Sequence, residues 1–156
     1  MTANQEVQVS HRSTASFGKR HEHIAVAELL RRGLDVYMTL VNDRHIDCVV
    51  RKDRGKGKPE YLDIHMKARS AEGRNAGRFA HFRVTNPRPN YWFIFYSEPA
   101  ETYWVIPSLE LIKLAYKGKS SQSKGSYSVE LASRVKSGWR AAPRFRKYEN
   151  AFELLR

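Results

Sequence analysis

Apolar residues in this chain recur at helical spacing in one early stretch and alternate in several later ones. From about Phe17 to Arg32, Ile24, Ala27 and Leu30 form one series and Val26 and Leu29 another, which predicts an amphipathic helix. Ser16 is placed to cap its start and Gly33 supplies a stop. Met1 to Ala15 show no period and read as a mobile arm ahead of a single domain over 16–156. Leu34–Val41 and His45–Lys52 read as strands around a turn at Asn42-Asp43, with Ile46, Cys48 and Val50 on one face of the second. Asp53 to Pro59 is a hairpin loop by composition, and Glu60–Lys67 reads as a third strand.

Ala68 to Asn90 breaks the pattern with five arginines, two glycines and two prolines, which predicts a loop, with Arg78–Val84 as a short strand inside it. Tyr91–Ser97 and Thr102–Ile106 predict two more strands. Pro107-Ser108 opens a helix to about Tyr116, with Ser108 as its cap. Lys117–Ser126 reads as a basic loop, Tyr127–Leu131 as a short strand, Arg134–Lys147 as part of a basic C-terminal extension, and Asn150–Leu155 as a last helical turn or two. The order helix, three strands, loop, two strands, helix predicts an α/β fold with a central mixed β-sheet flanked by helices.

Charge changes this picture. Lysine and arginine number 28 against 16 acids, a net charge of +12 that favours a polyanionic partner. The longest strongly apolar stretch, Tyr91–Tyr96, is far too short to cross a bilayer, and the polar N-terminus is no secretory signal. That favours nucleic acid over a membrane. Cys48 is the only cysteine, which excludes an internal disulfide and fits a cytoplasmic protein. Inside the run Ile46–Val50 it reads as a buried, small apolar residue.

The third strand carries the candidate chemistry. Asp63, His65 and Lys67 occupy alternate positions and share one face, while Leu62, Ile64 and Met66 share the other. Phosphodiester cleavage needs a held metal, an oriented water and stabilisation of developing charge. Asp47, in an apolar strand, can hold a cation, and Lys67, on the next strand, can orient the water. Glu22 begins the stripe through Val26 and Leu29, so its carboxylate can point from the helix towards the sheet. Each residue also has a plainer reading. Asp47 can pair with Arg44 or Arg51, Lys67 can snorkel, Glu22 can be a first-turn acid, and His65 can be a satisfied, partly buried histidine. His21 and His23 read as solvent-facing.

From about Phe17 to Tyr116 these elements resemble the PD-(D/E)XK nuclease superfamily, which includes archaeal Holliday-junction resolvases and Mrr-like restriction enzymes. Gly18 and Glu22 match the glycine and glutamate of the resolvase-type helix. Asp47 in His45–Val50 matches the metal-binding aspartate, with Ile46 where proline is usual. His65-Met66-Lys67 matches the acidic residue, spacer and lysine, with histidine in the acidic place. Tyr91–Tyr96 and Trp104–Ser108 are similar to later strands of uncharacterised members. The resemblance implies a restriction-endonuclease-like core and a divalent metal, Mg or Mn. Asp47 would be the principal ligand, Glu22 and either His65 or Asp63 would complete the set, and the Met66 carbonyl would contribute. Asp47, Glu22, His65 and Lys67 would be the catalytic residues. Imidazole at His65 removes one carboxylate charge and shifts preference towards manganese, iron, nickel or zinc.

The arginine-rich loop follows Lys67 directly. Arg69, Arg74, Arg78 and Arg83 are candidates to clamp phosphates, with Phe79, His81 and Phe82 to stack on bases. Lys117, Lys119 and Arg140 belong to a second basic zone interleaved with Trp139 and Phe145, a composition that suits single-stranded or distorted nucleic acid as well as duplex. The leading expectation is a metal-dependent nuclease acting on DNA, whether duplex, branched or single-stranded, as a monomer or a homodimer. The alternatives are a non-hydrolysing binding module of the same fold, and a basic subunit that grips RNA or an acidic protein within a larger complex.

Overall fold

A computed structural model describes residues 14–41, 44–70 and 77–156. Helix α1 spans Thr14–Arg31. Strands β1 (Asp35–Met38), β2 (Cys48–Lys52) and β3 (Glu60–Arg69) follow, then β4 (Arg78–Phe82), β5 (Tyr91–Ser97) and β6 (Thr102–Pro107). Helix α2 (Ser108–Leu114) leads to β7 (Tyr116–Lys117), β8 (Tyr127–Glu130), β9 (Ala132–Val135) and β10 (Gly138–Ala141). Two short 3-10 helices, Pro143–Tyr148 and Phe152–Leu155, end the chain.

The main sheet has the order β1-β2-β3-β5-β6. Only β3 and β5 run parallel, and the other neighbours are antiparallel. The expected central mixed sheet is therefore present, with α1 on one face and α2 on the other. The apolar sequence pattern explains why both faces are covered. Leu62, Ile64, Met66, Ile94 and Val105 pack with Ala25, Val26 and Leu29 of α1. The alternate residues Phe93, Phe95, Trp104 and Ile106 enter a second, aromatic core with Leu111 of α2. A sheet apolar on both faces needs a layer on each.

That second layer contains more than α2. Strands β4, β8 and β7 form a small antiparallel sheet, and β9 and β10 form a hairpin. Arg134–Lys147, expected as part of a basic extension, is thus largely a hairpin and a 3-10 turn whose Phe145 and Tyr148 are buried in the aromatic core. Gly77 makes this close approach: a Cβ there would lie 1.8 Å from the Ala132 carbonyl oxygen, while Leu131 N–H donates to the Gly77 carbonyl at 2.7 Å.

Several local expectations shift. Helix α1 starts two residues before Ser16, and its buried stripe is Phe17, His21, Ala25, Val26 and Leu29, with Ile24 and Leu30 exposed. The i, i+4 run from Phe17 sets that face, and an imidazole stands within it where aliphatic spacing alone shows a gap. Pro107, not Ser108, is the N-cap of α2. Ser108 is buried and instead bridges the chain: its hydroxyl donates to the Arg88 carbonyl at 2.9 Å and accepts from the Arg88 N–H at 3.0 Å. Cys48 is fully buried, and burial pushes its thiol up to about 12, so it is inert packing as expected. Among the described residues no helix is long and apolar enough to cross a membrane.

Candidate active-site cleft

Strands β2 and β3 pair from Lys52↔Glu60 to Cys48↔Ile64, and the ladder extends one step further through Asp47 N–H to the Ile64 carbonyl at 2.8 Å. There the pattern changes. The Met66 N–H is taken at 2.6 Å by the Asp47 side-chain Oδ2. A carboxylate thus satisfies an N–H within the sheet and turns the chain of β2 away. The opening it leaves is a cleft of about 330 Å³ lined by Gly18, Glu22, His45, Asp47, His65, Met66 and Lys67, with Phe17, His21 and Tyr96 among its walls.

Asp47 is 5% exposed, so its charge needs compensation. His65 Nδ1 lies 3.0 Å from the same Oδ2. Burial works to raise the Asp47 pKa. The hydrogen bond and charge of His65, the Met66 N–H and the Lys19 ammonium outweigh it and hold the carboxyl below its ordinary value. Burial pushes the His65 imidazole below its ordinary value, against the pull of Asp47 and helped by Lys67 and His45. The pair is therefore an ionised carboxylate facing a neutral ring. A carboxylate only accepts, so this assigns the hydrogen to Nδ1, which donates to Asp47, and leaves the lone pair on Nε2. The same arrangement orients imidazoles that serve as metal ligands.

Glu22 reaches the cleft from α1, half-buried, and pairs with Lys19 at 2.5 Å. Lys67 is half-buried and has no ion pair among the described residues. Asp63 is not brought to the cleft. It pairs with Arg88, whose guanidinium also stacks 4.7 Å over Tyr91. That holds the chain before β5 and leaves the carboxylate no part among the cleft-lining residues.

Two cleft residues were not singled out from sequence. His45 sits at φ +56°, packs edge-on to His65 at 5.5 Å and offers its carbonyl to the Tyr91 hydroxyl at 3.1 Å. His21, expected in solvent, is buried between Phe17 (4.3 Å) and Tyr96 (4.9 Å), with neither ring nitrogen partnered among the described residues. Its place four residues after Phe17 and four before Ala25 is the signal that assigns it to the buried stripe. Burial, with Arg20, pushes its pKa down, so it is neutral near pH 7.

The donor set suits a divalent cation in chemistry: a buried carboxylate, a second carboxylate at the mouth, imidazole and the Met66 carbonyl. As folded, these groups satisfy one another. Among the described residues no three His, Cys, Asp or Glu side chains converge to hold an ion.

The predicted nucleic-acid contacts divide. Arg69 donates from Nε to the Arg78 carbonyl at 2.9 Å and lies 5.9 Å over Phe79, so it ties β3 to β4. Arg74 lies outside the described residues. Arg78 and Lys117 line a second cleft with His81, Ser123, Ser126 and Ser128, and Arg140 lines a third with Arg144. Arg83 and Lys119 are exposed. Phe79, Phe82 and Phe145 are buried in the aromatic core and cannot stack on bases, because β4 and the 3-10 helix Pro143–Tyr148 use them to close the second layer.

No protein-family model matches the chain, and no curated protein matches it in sequence. Among solved structures the chain is similar to the bacterial homing endonuclease I-Ssp6803I, with a TM-score of 0.63 and 22% identity over 93% of this chain and 92% of that one. It is also similar to Hjc, a Holliday junction resolvase from the hyperthermophile Archaeoglobus fulgidus, with a TM-score of 0.45 and 14% identity over 74% of this chain and 84% of that one. The first likeness shows that the chain shares the fold of that endonuclease.

Proposed function

We propose that this chain is a metal-dependent nuclease that hydrolyses DNA phosphodiester bonds at the Asp47 cleft. The observation that carries the reading is convergence. Gly18, Glu22, Asp47, His65, Met66 and Lys67, drawn from one helix, one strand end and one strand, line a single opening on a nuclease fold. A divalent cation, magnesium or manganese, would supply Lewis acidity at the scissile phosphate. Asp47 and Glu22 would hold it with the Met66 carbonyl, and His65 would add its Nε2 lone pair once its Nδ1–H has left Asp47. Lys67 orients the attacking water and offsets charge on the phosphate. Supercoiled plasmid and single-stranded DNA, incubated with each metal, test this beside Asp47→Ala and Lys67→Ala. Cleavage by the wild type, lost in both variants, is the expected result; equal nicking by all three proteins rejects it.

One observation favours a second reading. The Asp47 Oδ2 is already committed to Met66 and His65, and no three-ligand cluster is formed among the described residues. A site closed on itself in this way suits a binding module that grips nucleic acid without hydrolysis. Binding with no cleavage in either metal selects this reading.

A further inference from the structure

The end of β1 and the residues that follow it, 37–41, present apolar side chains to solvent. Tyr37 and Met38 are exposed, Leu40 is fully exposed and Val41 is 72% exposed. Consecutive bare apolar residues on a soluble surface need a functional reason. The loop is not free to fold them back. On one leg, Thr39 donates its N–H to the Asp47 carbonyl at 3.3 Å, and its hydroxyl donates to the Ile46 carbonyl at 2.8 Å. On the other leg, the His45 carbonyl accepts from the buried Tyr91 hydroxyl. The neck is therefore pinned at the edge of the cleft while Leu40 and Val41 stand out from it.

The surroundings identify the occupant. Arg44 and His45 are exposed on the same loop, and His45 lines the cleft. A chain of net charge +12 repels a second copy of itself and attracts a polyanion. Aliphatic side chains flanked by basic groups are the means by which proteins part stacked base pairs. We propose that Leu40, supported by Val41, is a wedge that enters duplex nucleic acid between base pairs beside the Asp47 cleft. The inference rests on the nucleic-acid reading above and names its substrate as a duplex that this loop unstacks. Parting the stack at the neck of the loop brings the adjoining backbone phosphate towards Asp47.

The test uses the full chain in EDTA and low salt, with duplexes carrying 2-aminopurine at pyrimidine–purine steps, which unstack most easily. Anisotropy of an end label reports binding, and 2-aminopurine fluorescence reports unstacking. Wild type is expected to bind and to raise the fluorescence. The double variant Leu40→Ala/Val41→Ala, altered only at exposed positions, is expected to bind yet lose the rise, and Leu40→Met to keep it. Binding without a rise, or a rise unchanged in the double variant, overturns the wedge and leaves the nucleic-acid reading standing. Failure of wild type to bind duplex overturns both. Self-association in sedimentation that the double variant abolishes, with no wild-type fluorescence rise, assigns the patch to a second copy instead.

Discussion

The Asp47 cleft and the small-sheet layer carry their charge in different ways. In the cleft each described acid is tied to a neighbour, Asp47 to His65 and the Met66 N–H, Glu22 to Lys19. Between Tyr116 and Lys147, nine lysines and arginines stand against the single acid Glu130, so most of the net charge lies there. The contrast follows from dielectric. Buried charges are costly unless paired in fixed geometry, and fixed geometry is what bond-breaking chemistry uses. Exposed cations cost little to keep and act at longer range, which suits a grip on a polyanion.

The largest effect should come from the cleft. Asp47→Asn keeps an acceptor for the Met66 N–H but removes the charge. It is expected to lower cleavage at least about tenfold, the lower end of the loss that an outer partner of a metal ligand produces. DNA affinity should barely change, and a parallel loss of affinity would mean that the two regions are not separable. Asp47→Ala should in addition lose about 1–3 kcal/mol of stability, because the Met66 N–H is left buried and unpaired.

In the second layer the largest effect is structural. Gly77→Ala drives a Cβ into the Ala132 backbone, where no flexible side chain can yield, and is expected to cost about 1–3 kcal/mol. Urea unfolding measures it, and an unchanged midpoint would show that β4 and β9 are not locked at this point. Removing charge should do something different. Lys117→Ala/Arg140→Ala is expected to leave the fold intact and to reduce the slope of log affinity against log salt by about 2, if each residue neutralises one phosphate. A slope equal to wild type would move the grip elsewhere.

The pH dependence separates the regions again. His21 and His65 are held below their ordinary value of 6.5 in the folded chain. The unfolded chain therefore binds more protons, and stability falls as pH drops below about 6.5 towards the folded values. Asp47, held below 3.8, contributes stability above that value, and this is lost as pH falls through its own lower pKa. Both signs make acid destabilising. His21→Phe removes two unpartnered nitrogens from an aromatic slot and should stabilise by about 1 kcal/mol while flattening the slope below pH 6.5. Denaturation at pH 7 and pH 5.5 checks this, and a loss of stability at pH 7 would show that His21 has a partner in solution.

The smallest effect belongs to Gly18. It lies in α1 with nothing within 4 Å of a built Cβ, so Gly18→Ala should stabilise the helix by about 0.5–1 kcal/mol. Because Gly18 also lines the cleft, cleavage should fall in the same variant. A gain in both would show that the cleft floor is not used.

Much of this was legible in the chain itself. Alternation put Asp63, His65 and Lys67 on one face of β3, and they are in register with Tyr91, Phe93 and Phe95 on that face. Local side-chain periodicity carries such information because the pleat fixes it. The hairpin from Ala132 to Ala141 was missed because its residues alternate weakly, and its burial depends on aromatic partners distant in sequence. The same dependence misplaced Phe79, Phe82 and Phe145, whose neighbouring arginines suggested a nucleic-acid surface while their rings close a core.

The sequence by itself determined the first helix, the strands of the main sheet, its two apolar faces and the excess of positive charge, since these depend on spacing and composition. Only the tertiary structure decided that Asp47 turns its carboxylate into the ladder, that Asp63 pairs with Arg88, that His21 is buried, and that Leu40 is bare. Each of those outcomes depends on which distant group the fold brings within hydrogen-bond or packing distance. Spacing along the chain does not encode that, because the partners lie on separate elements that the sheet pairing and packing bring together.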